Sequence, residues 1–598
     1  MEALVDPSRD PCVRFSAYAC AGWAARVRAE GRTGDQAWRE AEMSATIHAG
    51  LRAWLGSAEA GVDADASTLR RFFSVCVADS ATTVPGHPAL ASLEAEIEAV
   101  DGVESFLRAS GRLAAHGLPG VLAVTLFPVD GSPYEPLVQA RGSERSGAGE
   151  ADPAARERLV STLRAYGEAR VQARAQAVID LEDRLLALRA RAEDDPIVPA
   201  SSLGARPGSR SLPWDAFVAG WGVPEHAALH VYPAGYVDGL ARVLGRARAS
   251  TLRDYLRWTL VDGLLQSLPA RYADDPDWPP PTTCLSVLEE LAGLELVRAF
   301  GRDALSDPVH ARAVQIVEAV REQLEGVIEE ADWLDPRVRA LLWSRMEAVR
   351  FRLGYGEAWP QPLPALGDDH LANVLALRHA AFARRVAPRG PASFDRPWSD
   401  DGFLLVHATA WNDRFVPGIN LSLGLLLPPV FDPQRPLSLD VAALGSITGH
   451  ELMHWTDPDD MPGTLANAGL DEALARPLVE GAACLETAYV EAGLPVEPTA
   501  PRLEIDETLA DLGGIRAAWR VHRSLAARGQ APAGAVLDAD QLFFVTAAQF
   551  FCDAEEDPAT LDTGRRRIDR AMMALPEFAQ AFGCESPSAG ATAACEHW

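Results

Sequence analysis

The chain has 598 residues, 48% apolar and 23% charged, with a net charge of −29; this is a folded composition at a length that suggests roughly two to four domains. The negative charge disfavours nucleic acid and an anionic membrane surface as partners, because both are held by Lys and Arg. All 55 basic residues are arginine, which excludes a Schiff-base lysine, a P-loop lysine and a Ser-x-x-Lys nucleophile.

The opening MEALVDPSRDPC has no charged-then-apolar secretory pattern, and no run of 18 apolar residues follows, so no membrane-spanning helix is expected. Residues 36–385 read as mostly helical. Residues 156–193 form one long amphipathic run, and 307–330 and 335–354 form two more, each opened by Asp-Pro. Residues 143–154 and 201–213 read as loops. His226 and His230 stand four apart without an internal glutamate, as in an ordinary surface or core pair. The Pro-rich stretch 386–402 looks like a boundary. After it, 403–411 reads as a strand and 421–431 as an apolar segment stopped by two prolines. Helices follow around 446–457, near 472–492 and after Glu504.

The stretch SITGHELMHWTDPDD, residues 446–460, carries the chemistry. Ser438 or Asp440 is placed to cap this helix, and Pro458 follows its end. Positions i and i+4 share a helix face, so His450 and His454 can reach one metal ion. Glu451 stands about 100° round, close enough to hold a water. Zinc would lower that water's pKa, and Glu451 would take its proton as it attacks a carbonyl. The bland alternative is a helix face with two chance histidines.

Such a site needs a third protein ligand. Asp460 would serve in a metzincin pattern, but Asp457 stands where that pattern needs glycine. EIDETLADLGGIRAAW offers Glu507 as ligand instead. Asp511, one turn on, can fix the tautomer of a zinc histidine, and Gly513 and Gly514 allow a close helix approach. The eight cysteines are Cys12, Cys20, Cys76, Cys284, Cys484, Cys552, Cys584 and Cys595, with no CxxC pair. They fit four disulfides or eight buried thiols.

Several segments together resemble the neprilysin-like (M13) zinc metallopeptidases over nearly the whole chain. They are DPCVRFSAYACAGW, DWLDP with LGYGEAW, ATAWNDRFVPGINLSLGLLLPPVFD, GHELMH, ETLADLGG and the closing ACEHW. The resemblance implies a mainly α fold with a small β component. Two lobes would enclose a cavity, one helical and one thermolysin-like. Residues 1–35 would pack on the catalytic domain, 36–390 would form the helical lobe, and 391–598 the zinc catalytic domain. His450, His454 and Glu507 would bind one Zn2+ per chain, with Glu451 as general base, Asp511 as partner of a zinc histidine and Arg567 as the active-site arginine. The implied disulfides are Cys12–Cys584, Cys20–Cys552, Cys76–Cys284 and Cys484–Cys595. They imply a secreted, periplasmic or cell-surface protein rather than a cytoplasmic one.

The implied substrates are oligopeptides, cut on the amino side of a hydrophobic residue. Two departures stand out. Thr409-Ala410 replaces the family's substrate-binding Asn-Ala, losing the amide's paired donor and acceptor. Between Cys552 and Cys584 there is no histidine, where the family places an oxyanion donor; one of Arg565, Arg566 or Arg567 can substitute in part. A catalytically weakened peptide-binding or peptide-maturation partner is therefore the alternative to an active enzyme.

Overall fold

The computed structural model describes residues 1–57, 64–79, 82–118, 120–129, 132–140, 153–192, 195–269, 280–354, 362–388, 407–413, 418–491, 493, 501–554, 563–584 and 595. The chain is mainly helical with a small β component. It divides into two compact units, one of Met1–Gly50, Phe300–Glu357 and Leu404–Trp598, the other of Leu51–Ala299 and Ala358–Phe403. The first unit thus takes in residues 300–357, which the sequence reading assigned to the helical lobe. Of the expected boundary at 386–402, only residues 386–388 are described, and Val386 closes the helix His370–Val386 there.

Two of the expected helices explain that assignment. Asp307–Glu330 buries Ala313, Ile316, Val317, Val320, Leu324, Val327 and Ile328, an apolar stripe at three- and four-residue spacing. This stripe packs against the helices around 441–453 and 501–527. Asp335 caps the next helix, Pro336–Ala348, by accepting from the Arg337 N–H at 2.8 Å. The helical reading of 335–354 holds only to Ala348. Arg350–Gly354 is instead a strand, parallel to Gly418–Ser422, which pairs antiparallel with Ala410–Asp413. The expected strand at 403–411 is described only from 407, and its strand residues are Ala410–Asp413.

The N-terminal segment belongs to the same unit as the C-terminal one. Phe15 packs edge-on against Phe578, ring centroids 4.7 Å apart. Ser16 donates its N–H and its hydroxyl to Asp569, at 2.7 and 2.9 Å. Disulfides join Cys12 to Cys584, Cys20 to Cys552 and Cys484 to Cys595 here, and Cys76 to Cys284 in the second unit. No cysteine is free. Four disulfides fit an oxidising compartment. Among the described residues no helix is long and apolar enough to cross a membrane.

The second unit carries a four-stranded sheet, in the order Leu122–Val129, Ser132–Ala140, His230–Tyr232, Val198–Pro199. The single long helix expected over 156–193 is two helices, Pro153–Ala165 and Val171–Arg191. Gly167, at φ +71°, turns the chain out, and the Glu168 N–H closes back on the Leu163 carbonyl at 3.1 Å. The amphipathic period runs on across the break, so periodicity alone could not place it. His226 and His230 do not converge on one site: His230 lies on a strand 3.0 Å from Glu135, and His226 packs against Trp221.

Candidate metal centre

The histidine helix starts earlier than the capping residues suggested. Leu437–Asp440, a π-helical turn over Val441–Gly445 and Ser446–Met453 run on continuously after Pro436. Ser438 and Asp440 are therefore inside the helical run and cap nothing. The buried Asp440 carboxylate instead takes Arg312, Arg435 and the Asp432 N–H. Proline at 436 favours a start just after it, which overrides the later cap candidates.

The second helix, Pro501–Ala527, meets the first almost backbone to backbone. A Cβ on Gly449 would stand 2.6 Å from the Gly514 Cα, and one on Gly513 would stand 2.5 Å from the Met453 sulfur. This approach brings Glu507 and Asp511 onto the histidine face. The Nε2 atoms of His450 and His454 lie 3.1 Å apart. The Glu507 carboxylate faces both, at 3.5 Å from His450 and 3.6 Å from His454. Ligand atoms of these three residues all lie within 4.8 Å of one another.

Each imidazole is held from behind. The His450 Nδ1 meets Asp511 at 2.9 Å, and the His454 Nδ1 meets Asp457 at 3.1 Å. Donation at Nδ1 leaves a lone pair on each Nε2. Two lone pairs at 3.1 Å repel unless a proton or a metal cation stands between them, and the Glu507 carboxylate facing both completes a donor set that fits a metal ion. Without such a cation, burial pulls the His454 pKa down, but Asp457, Glu451 and Glu507 outweigh it and push it up to about 9.

Glu451 is buried and lines the cleft beside the histidines. Burial raises its carboxyl pKa, against the pull of His450 and His454. Its backbone carbonyl accepts from the Asn412 side chain at 3.0 Å. Arg567 binds Asp511 through two nitrogens, both at 2.8 Å, and Glu507 at 3.1 Å. Burial would raise the Asp511 pKa, but Arg567 and His450 hold it far below the usual carboxylate range. Arg565 is spent on the Asp553 carbonyl at 2.8 Å. Thr409 and Ala410 lie on the cleft wall, and Ala410 starts the edge strand.

The cleft has a volume of about 480 Å3, and the described residues that line it all belong to the first unit. Five participants were not picked out from sequence. Asp457 holds His454, and its position three residues on was a usable signal. Asn412 reaches Glu451 from a strand 39 residues earlier. Trp38, Arg39 and Glu40 reach the cleft from the N-terminal segment, with no local pattern to mark them.

The profile of peptidase family M13 matches residues 11–356 and 414–596. Endothelin-converting enzyme-like 1 of Rattus norvegicus is 24% identical over 498 residues, covering 76% of this chain and 63% of that protein. Neprilysin-3 of Drosophila melanogaster is 22% identical over 422 residues, covering 63% of this chain and 53% of that protein. The chain thus spans about half to just under two thirds of the length of these curated relatives. Zinc metalloprotease Zmp1 of Mycobacterium tuberculosis, in its open state, superimposes with a TM-score of 0.77 at 18% identity, over 97% of this chain and 98% of that one. PepO from Lactobacillus rhamnosis gives 0.68 at 15% identity, over 97% and 98%. At these identities the two structures establish the fold.

Proposed function

This chain belongs to peptidase family M13, and from that premise we propose that it is a zinc-dependent endopeptidase acting on oligopeptides outside the reducing cytoplasm. The observation that carries this reading is the convergence of the two Nε2 atoms and the Glu507 carboxylate, with each Nδ1 fixed by its own aspartate. His450, His454 and Glu507 would hold one zinc ion. Bound there, zinc supplies Lewis-acid polarisation of a carbonyl and lowers the pKa of water.

The chain's own residues divide the remaining work. Glu451 accepts the proton of the attacking water and returns it to the leaving amine. Its buried position raises its proton affinity, which suits a group that must take up and give back a proton. Asp511 fixes the His450 ring, and Arg567 fixes Asp511. Arg567 keeps donor capacity beyond these bonds, since a guanidinium has five N–H groups. That capacity can serve the oxyanion. The edge strand at Ala410 suits an extended peptide added alongside it, through backbone hydrogen bonds that do not depend on side-chain identity. Ile447, Phe550 and Phe551 on the lining suit a hydrophobic side chain next to the cut bond.

The sequence also supports a second reading. No histidine stands between Cys552 and Cys584, and losing an oxyanion donor costs about 10²–10³ in turnover. A peptide-binding protein with weak hydrolysis would keep the same cluster. Metal analysis together with digestion of a peptide library, with and without chelator, separates the two. Chelator-sensitive cleavage supports the enzyme. Stoichiometric zinc without cleavage of any library member supports the binding protein.

A further inference from the structure

Besides the histidine–carboxylate cluster, the charged residues Arg39, Glu40, Asp553 and Arg567 line the cleft. Three of them are engaged: Arg39 with Glu42, Arg567 with Asp511 and Glu507, and Asp553 with partners of its own. Among the described residues Glu40 has no ion pair. Two residues before it, Trp38 also lines the cleft and is 41% exposed.

This corner is held rigidly. Trp38 and Asp553 form an antiparallel bridge. The Arg39 N–H donates to the Cys552 carbonyl and the Ala554 N–H to the Ala37 carbonyl, both at 2.9 Å. The Cys20–Cys552 disulfide anchors the partner segment. A first-turn glutamate also complements the dipole of the helix Arg39–Leu55. That role does not need a place on the cleft wall, nor an exposed tryptophan beside it. Glu40 is itself exposed; neighbouring atoms still displace enough water to raise its carboxyl pKa, with the Arg567 charge opposing. An exposed carboxylate and an exposed indole on one cleft wall together attract a cation.

We propose that Trp38 and Glu40 form a cation-recognition subsite for the peptide, taking an arginine or lysine side chain or the N-terminal ammonium. The proposal rests on the peptidase reading for its substrate class, and its test is arranged to stand apart from it. Three sets of fluorogenic peptides of one length separate the sources of the cation. One is N-acetylated and neutral. One is N-acetylated with a single arginine moved through the positions. One is neutral with a free amino terminus. Both kcat/KM and affinity, by fluorescence anisotropy, are measured for the parent, Glu40→Gln and Glu40→Arg.

The parent should favour one cationic set over the neutral one by about 10-fold. Glu40→Gln should bring that ratio close to 1 at an unchanged melting temperature. Glu40→Arg should turn the preference toward a peptide carrying glutamate at the same place, a reversal that a merely structural role would not produce. Preference for the arginine set identifies a side chain, and preference for the free terminus identifies the ammonium. A parent with no preference in either readout, or a Glu40→Gln variant that keeps it, overturns the subsite. Affinity ratios as expected in the absence of hydrolysis would count against the peptidase reading alone.

Discussion

A Cβ on Gly514 would stand 2.4 Å from the backbone nitrogen of His450. The two helices of the site therefore touch through their main chains, and Gly449 answers Gly514 across the contact. Only this approach lets Glu507 and Asp511, more than 50 residues along the chain, reach the histidines. Gly514→Ala should force the helices apart and destabilise the fold by about 1–3 kcal/mol. It should also weaken metal retention. Melting temperature and metal content after dialysis check both, and a variant equal to the parent in each would show that the contact does not set the site geometry.

Zinc should be retained at about one ion per chain and lost from a His450→Ala, Glu507→Ala double variant. The donor atoms lie within 4.8 Å of one another, and removing two of the three leaves a single imidazole. Elemental analysis of dialysed protein reads the outcome. Metal at full stoichiometry in the double variant would place the site elsewhere.

Glu451→Gln should keep the metal and lose peptide hydrolysis by about 10²-fold or more. The amide has the same shape as the carboxylate but cannot accept the water's proton. Single-turnover cleavage of a fluorogenic peptide measures it, alongside metal content. Turnover at the parent's rate would assign the proton transfer to another group.

Arg567→Ala should lower turnover by about 10²-fold. The arginine binds Asp511 and Glu507 at once, so two roles need separating. If it acts only through these partners, metal affinity should fall along with turnover. If it also donates to the oxyanion, kcat should fall further than metal loss explains when zinc is saturating. Unchanged kinetics would remove Arg567 from the mechanism.

Replacing Cys20 and Cys552 together by serine should cost about 2–5 kcal/mol of stability. The bond ties residue 20 to the segment that carries Phe550, Phe551 and Asp553 along the cleft wall. Denaturant midpoints of the parent and the variant, both without reductant, give the difference. Equal midpoints would mean that the Gln549–Ala19 bond and the backbone pairing of residues 37–39 with 552–554 hold this segment without help.

The sequence by itself determined what depends on local geometry. The helical repeat alone puts His450 beside His454 and Glu507 beside Asp511, because i and i+4 share a face in any α-helix. The same repeat marked Asp307–Glu330 to the residue. Tertiary structure decided what depends on backbone approach and long-range packing. The amphipathic pattern runs across Gly167, yet a positive φ there breaks the helix. Residues 350–354 continue a helical-looking stretch, but strand pairing with 418–422 captures them. Trp38 and Glu40 carry no motif at all. They join the cleft because residues 37–39 hydrogen-bond to 552–554, more than 500 positions away. Backbone hydrogen bonds within a helix impose a period that the sequence must display. Contacts between distant segments require only that the surfaces fit, and so leave no periodic trace to read.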